Sequence, residues 1–122
     1  MSLDILKSIK QMLKMLQILT DDEIDKLCDL LKHYKKDAWL YPGVIARKVP
    51  LTIEKTYMVT DALEHAGYIR SYYELYCNNC QKATGVVFET FGELPDEFEC
   101  ELCHAPMISV ENSILIYKVT VE

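Results

Sequence analysis

Five cysteines and three histidines are the side chains here best suited to metal or thiol chemistry. Four of the cysteines form two C-x-x-C pairs, Cys77-Asn78-Asn79-Cys80 and Cys100-Glu101-Leu102-Cys103, separated by 19 residues. Two such pairs match the four-cysteine zinc spacing, in which each short loop presents two thiolates to one corner of a tetrahedron. Four thiolates leave no coordination position open for water or substrate. The expected cofactor is therefore one structural Zn2+ per chain, held by Cys77, Cys80, Cys100 and Cys103. A redox reading of C-x-x-C needs one motif in a βαβ setting, which is missing around these pairs. His104 adjoins Cys103, but the sulfur tetrahedron is already complete, so an outer or exposed role is expected. Cys28 lies far from both pairs on an apolar stripe and reads as a core residue. His33, His65 and His104 fall in different elements with no obvious Ser or Cys partner. There is also no Gly-rich phosphate loop and no H-E-x-x-H motif, so no catalysis is predicted.

The elements that must position these thiols belong to a chain of 122 residues, long enough for one domain or two small ones. Half the residues are hydrophobic, with four glycines and four prolines, which predicts a globular rather than a disordered chain. The N-terminal residues lack the basic start, apolar run and cleavage site of a signal peptide. No stretch approaches the roughly 20 apolar residues that cross a bilayer. A cytoplasmic chain without membrane contact is expected, and in a reducing compartment C-x-x-C pairs persist as metal ligands. The net charge of −6 is unevenly spread. Residues 1–34 carry −1, residues 35–70 carry +2 and residues 71–122 carry −7. The cysteine-rich third would repel a phosphate backbone, so only the middle third could tolerate one.

Residues 4–19 read as an amphipathic helix with Ile5, Leu6, Ile9, Met12, Leu13, Leu16 and Leu19 on one face. That stripe either packs on the next helix or makes a helical dimer contact, because Leu6, Ile9, Leu13 and Leu16 also fit a short 3.5-residue seam. Thr20-Asp21-Asp22-Glu23 is a capping box, with Leu19 and Ile24 as its staple, opening a helix to about Tyr34. A short extended piece, Ala38-Trp39-Leu40, precedes a brief helix from Val44 to Lys48. Thr52 caps a longer helix that ends at Ala66 with Gly67 as a left-handed stop. Strands are expected over 68–76, over 84–91 and over 113–121. In the last of these Leu115, Tyr117, Val119 and Val121 alternate with Ile116, Lys118 and Thr120.

Short helix, tight turn, longer helix, glycine and strand make a helix-turn-helix followed by a wing. The stretch YPGVIARKVPLTIEKTYMVTDALEHAGYIRSYYELYC resembles winged-helix domains, with Ile45, Ala46, Val49, Val59, Leu63 and Ala66 as its packing positions. The cysteine segment resembles a zinc ribbon, except that the residue after each pair, often Gly, is here Gln81 and His104. The resemblance implies an α+β fold: an N-terminal helical hairpin, a winged helix-turn-helix and a four-cysteine zinc ribbon inserted at the wing. In boundaries, 1–20 is the first helix, 21–76 the winged helix, 77–110 the zinc ribbon, and 111–122 a terminal strand pairing with 68–76. Chains of this layout resemble small transcription-associated adaptors such as the archaeal initiation factor E. That family assists polymerase mainly through protein contacts.

Direct readout of bases favours Arg, Lys, Asn or Gln near the start of a recognition helix. The outward face of the Thr52–Ala66 helix instead carries Glu54, Lys55, Met58, Asp61, Glu64 and His65, with Tyr57 at its border. Tyr57, Met58, Tyr72 and Tyr73 are candidate partner-binding residues, since Tyr and Met are enriched at protein interfaces. The alternative for the strand tyrosines is that the ribbon and terminal strand cover them. Lys35, Lys36, Arg47, Lys48, Lys55 and Arg70 are candidate phosphate contacts, or an ordinary solvated face. The expected function is a non-catalytic protein-interaction adaptor with a protein partner, or a homodimer through the first helix. The alternative is a dimeric DNA-binding transcriptional regulator. A small-molecule sensor is a third reading, for which no residue singles out a ligand.

Overall fold

The computed structural model describes all residues, 1–122. It is a mixed α+β chain of four α-helices and antiparallel strands, in two compact units. One unit comprises Met1–Arg70 with Tyr117–Glu122, and the other comprises Ser71–Ile116. The chain therefore leaves the first unit once and returns to it. The sequence boundaries at 76/77 and 110/111 differ from this division. Two strands, β2 (Ile69–Cys77) and β6 (Ser113–Val119), each run from one unit into the other, so the division falls within strands.

In the first unit, α1 spans Leu3–Leu16 and α2 spans Asp21–Leu31. Ser2 caps α1 by accepting the Ile5 N–H. Gln17 ends it at φ 55, so Leu19 lies beyond the helix. Leu19 is buried all the same, as is Ile24 inside α2. The capping box of α2 is complete: Glu23 N–H donates to Thr20 Oγ1 at 3.1 Å, and Thr20 N–H donates to Glu23 Oε1 at 2.9 Å. This satisfies two helix-end donors that would otherwise lack partners. α2 stops at Leu31, short of Tyr34, whose carbonyl accepts the N-terminal amine of Met1. α1 packs on α2 through Ile9 and Leu13, both fully buried. Leu16 is 48% exposed, which removes it from the expected stripe. It is the last residue of α1, and the chain turns away at Gln17 directly after it.

After β1 (Trp39–Leu40), α3 spans Pro42–Lys48 and α4 spans Ile53–His65. Pro42 opens α3 at a position where no N–H is needed. Thr52 Oγ1 accepts the Lys55 N–H and caps α4. At the other end, Tyr68 N–H donates to Leu63 O at 3.0 Å and Gly67 N–H donates to Glu64 O at 2.9 Å. With Gly67 at φ 86 this is a Schellman stop, the left-handed turn that a residue without Cβ adopts freely. Val59 and Leu63 are buried with Thr56 and Thr60, whose hydroxyls donate to Thr52 O and Tyr57 O. Ala66 is exposed instead of lining the inner face, because it sits at the cap, where the helical face no longer continues.

The larger sheet has the order β1-β6-β2-β3, with β3 spanning Lys82–Phe88. Leu40 pairs with Tyr117, and the Lys118 ammonium lies 4.8 Å from the centre of the Trp39 ring. β6 does not keep the strict alternation expected of it. Ile116 is buried along with Tyr117 and Val119. Tyr117 and Val119 belong to the first unit and Ile116 to the second, so neither face of the strand is left to solvent throughout.

Burial of Leu13 against exposure of Leu16 gives a direct check of which residues hold α1. Leu13→Ala should destabilise the chain by about 2–5 kcal/mol in chemical unfolding, and Leu16→Ala by less than about 1 kcal/mol.

Candidate metal centre

The second unit buries few apolar side chains, Leu75 and Ile116 beside Cys77 and Cys100, and its organisation begins at the thiols. Cys77 is the last residue of β2, and the chain turns at once through Asn78 and Asn79 to Cys80. Cys80 N–H donates to Cys77 Sγ at 3.2 Å, which aims both sulfurs to one side of the loop. The second pair follows β4 (Glu97–Glu99), which pairs with β5 (Pro106–Ile108). There His104 N–H donates to Cys100 O at 2.8 Å, and Cys100 N–H donates to Ala105 O at 3.2 Å. Gln81 and His104, each following a pair, both take left-handed backbone, at φ 55 and φ 60. The turn that each loop requires is the one glycine makes easily, and here it is made by residues with a Cβ.

All four sulfurs lie within 4.8 Å of one another. Cys77 Sγ is 3.6 Å from Cys103 Sγ, and Cys80 Sγ is 3.9 Å from Cys100 Sγ. A tetrahedron with metal–sulfur bonds of about 2.3 Å has edges of about 3.8 Å, so these separations fit one ion. They are far beyond a sulfur–sulfur bond of about 2.05 Å, and all five cysteines are free. Cys77 and Cys100 are buried, whereas Cys80 and Cys103 are half-buried. An all-sulfur set of this shape suits zinc or iron and disfavours magnesium or calcium.

Without an ion the thiols of Cys77, Cys80 and Cys103 do not ionise alike. Hydrogen bonds from the Asn79 side chain and the Ala105 backbone lower the Cys103 thiol to about 6. The Cys80 thiol, beside the Cys103 sulfur and withdrawn from water, is pushed up to about 12. Burial likewise raises Cys77. A divalent cation supplies the charge that permits full deprotonation, and it must displace protons to bind.

The remaining candidates are dispersed. His104 Nδ1 lies 3.1 Å from Glu99 Oε1 on the surface, outside the sulfur cluster. Cys28 is half-buried rather than part of the core. It edges a recess with Leu6 and Lys10, and burial raises its thiol. Tyr57 and Met58 are 42% and 51% exposed on α4. Tyr72 and Tyr73, in the other unit, are half-buried, and the Tyr73 ring meets Phe91 edge-on at 5.4 Å. Lys35, Lys36, Arg47, Lys48 and Arg70 are exposed. Lys55 is half-buried, 3.7 Å from Glu23 Oε1, which engages it within the protein.

Two features escape a reading by sequence. Ile53, at the start of α4, is 72% exposed and edges a recess with Pro42, Gly43, Ala46 and Tyr57. Helical periodicity gave a hint, since Ile53 shares a face with Tyr57. The second is a bulge in β3. The pairing of Glu74 with Val87 gives way to Tyr76 with Ala83, so extra residues loop out around Gly85, at φ 83. The buried Glu74 carboxylate accepts the Gly85 N–H at 3.1 Å, and Thr84 Oγ1 donates to Leu75 O at 2.9 Å.

No family model, curated protein or solved structure matches this chain. No helix is long and apolar enough to cross a membrane.

Two measurements test this centre. Because Cys80 stays protonated near neutrality until metal displaces its proton, apparent metal affinity should fall as pH falls. The slope should steepen below about pH 6, where Cys103 adds a further proton to be displaced; competition with a chromophoric chelator reads both. Removing the strain at Gln81 by Gln81→Gly should stabilise the loaded protein by about 0.5–1 kcal/mol. Gly85→Ala should cost about 1–2 kcal/mol, through backbone conformation alone, since nothing lies near the added Cβ.

Proposed function

We propose that this chain is a non-catalytic protein-interaction adaptor or accessory subunit. In this reading residues 21–76 form a winged helix, and a ribbon held by one structural zinc follows it. The observation that carries the reading is the composition of the exposed face of α4. Ile53, Tyr57 and Met58 are exposed there beside Glu54 and Asp61. A DNA reader presents Arg, Lys, Asn or Gln at the start of such a helix. Here the first turn offers an isoleucine, a glutamate and a lysine that is engaged with Glu23. Exposed tyrosine and methionine are the currency of protein interfaces.

Zinc fits the all-thiolate set, and a fully thiolate-ligated ion offers no place for substrate. Its role in this reading is structural: it ties two loops of a unit with little core of its own. The order of motifs in the sequence resembles transcription-associated adaptors such as the archaeal initiation factor E, a resemblance that implies a protein partner. The exposed cations of the first unit favour the alternative, a dimeric DNA-binding regulator, and the same experiment separates the two.

The purified chain should carry one zinc per molecule by elemental analysis, and lose it in Cys80→Ser. In a shift assay at about 50 mM salt with random and genomic duplexes it should not bind. Sub-micromolar DNA binding weakened by Lys48→Glu would replace the adaptor reading with the regulator. For an adaptor, Met58→Asp should abolish co-purification of the native partner without lowering the unfolding midpoint.

A further inference from the structure

A cavity of about 440 Å³ lies wholly within Ser71–Ile116. Cys77, Cys80 and Cys100 stand at one part of its wall. Bound water occupies about 30 Å³, so a single ion accounts for only a small part of this space. Beyond the sulfurs the wall is mixed: Leu75, Val86, Phe88, Pro95, Phe98 and Leu102 form its apolar part, and charged side chains share it. Val86 is 45% exposed and Leu102 is 71% exposed, on the bulged strand and the second cysteine loop. Both loci are fixed: the bulge by Glu74, and the loop by the hydrogen bonds around Cys100. A preformed groove of this size accepts an apolar side chain without rebuilding.

The charge around it is one-sided. Residues 71–116 contain eight acidic side chains and one basic one. Seven of the acids are exposed, and Glu99 and Glu101 themselves line the groove. The single cation, Lys82, lines it too. Such a surface repels nucleic acid and any anionic lipid, and attracts lysine and arginine. The groove also lies between two strands that are each paired on one side only: β3 with β2, and β4 with β5. Each strand therefore has one edge that an added extended backbone could pair with.

We infer that this groove binds an extended, basic segment of a protein partner, seating one large apolar side chain between Val86, Phe98 and Leu102. Lysine or arginine residues beside that anchor meet Glu99 and Glu101. The inference rests on the adaptor reading and names the chemistry of the partner for the acidic unit. Apolar burial supplies the affinity, and the acids select the charge of the flanks.

The test is fluorescence anisotropy on the full chain with its native metal, against an array of short peptides. In one set a central Leu, Phe or Trp is flanked by Lys and Arg; in the second Ser replaces the apolar residue; in the third Glu replaces the basic ones. Only the first set should bind, and salt should weaken it severalfold without abolishing it. Leu102→Ser should weaken binding about tenfold and Glu101→Gln about threefold. Both side chains are exposed but sit between Cys100 and Cys103, so binding is compared at equal metal content. Val86→Ser on β3, outside the cysteine loops, should weaken it severalfold as well. The inference is overturned if the apolar set binds no better than its Ser counterpart. It is equally overturned if Leu102→Ser binds like the parent chain. Metal content is measured on the same samples: a chain lacking stoichiometric metal sinks the adaptor reading itself, whereas a loaded chain that ignores the peptides sinks only the groove.

Discussion

Four negatively ionisable sulfurs held within one small tetrahedron are the constraint on which the second unit depends. Thiolates at these separations repel one another in the absence of a counterion, and protonated thiols pack together with little gain. The two loops are nevertheless shaped toward each other by backbone hydrogen bonds and by two left-handed residues with side chains. Such strain persists only where the surroundings over-determine it. A cation at the centre would offset repulsion, strain and lost chain entropy together.

The first unit is stabilised by different physics. Ile9, Leu13, Ile24, Leu27, Leu31, Leu40, Ile45 and Leu63 are fully buried, and caps supply the hydrogen bonds that helix ends lack. Its polar interior is satisfied, the hydroxyls of Thr56 and Thr60 each donating to a carbonyl of their own helix. The large apolar side chains left outside lie mostly on two helices, with Trp39 apart from them. Ile53, Tyr57 and Met58 share one helix, and Leu3, Met15 and Leu16 another. Hydrophobic side chains scattered singly carry little information, whereas grouped ones carry more.

What could be read from sequence was whatever depends on local chemistry. The capping box at Thr20, the Thr52 cap and the Gly67 stop each need only a few neighbouring residues, and each appears with its hydrogen bonds. The convergence of Cys77, Cys80, Cys100 and Cys103 was legible because only one geometry makes sense of the spacing. The end of α1 was not legible, since Gln17 adopts a left-handed turn more typical of Gly or Asn. β5 was missed because it is three residues long and begins with proline. The face of β6 was misjudged because alternation assumes one solvated side. The groove could not be found at all: its walls come from β2, β3, the approach to β4 and the second cysteine loop, and no linear pattern joins them.

The division of the chain has a further meaning for its thermodynamics. Ser71–Ile116 is an insertion whose two ends enter neighbouring strands of one sheet. When that insertion is disordered, the terminal residues Tyr117–Glu122 can rejoin the helices only by closing a flexible loop of 46 residues. Closure of such a loop costs on the order of 3 kcal/mol in chain entropy. An ion that ordered the insertion would remove much of that penalty, because the chain ends that β6 and β2 carry back to the helices would already be held together. Metal occupancy and helical stability would in that case be linked through chain connectivity alone.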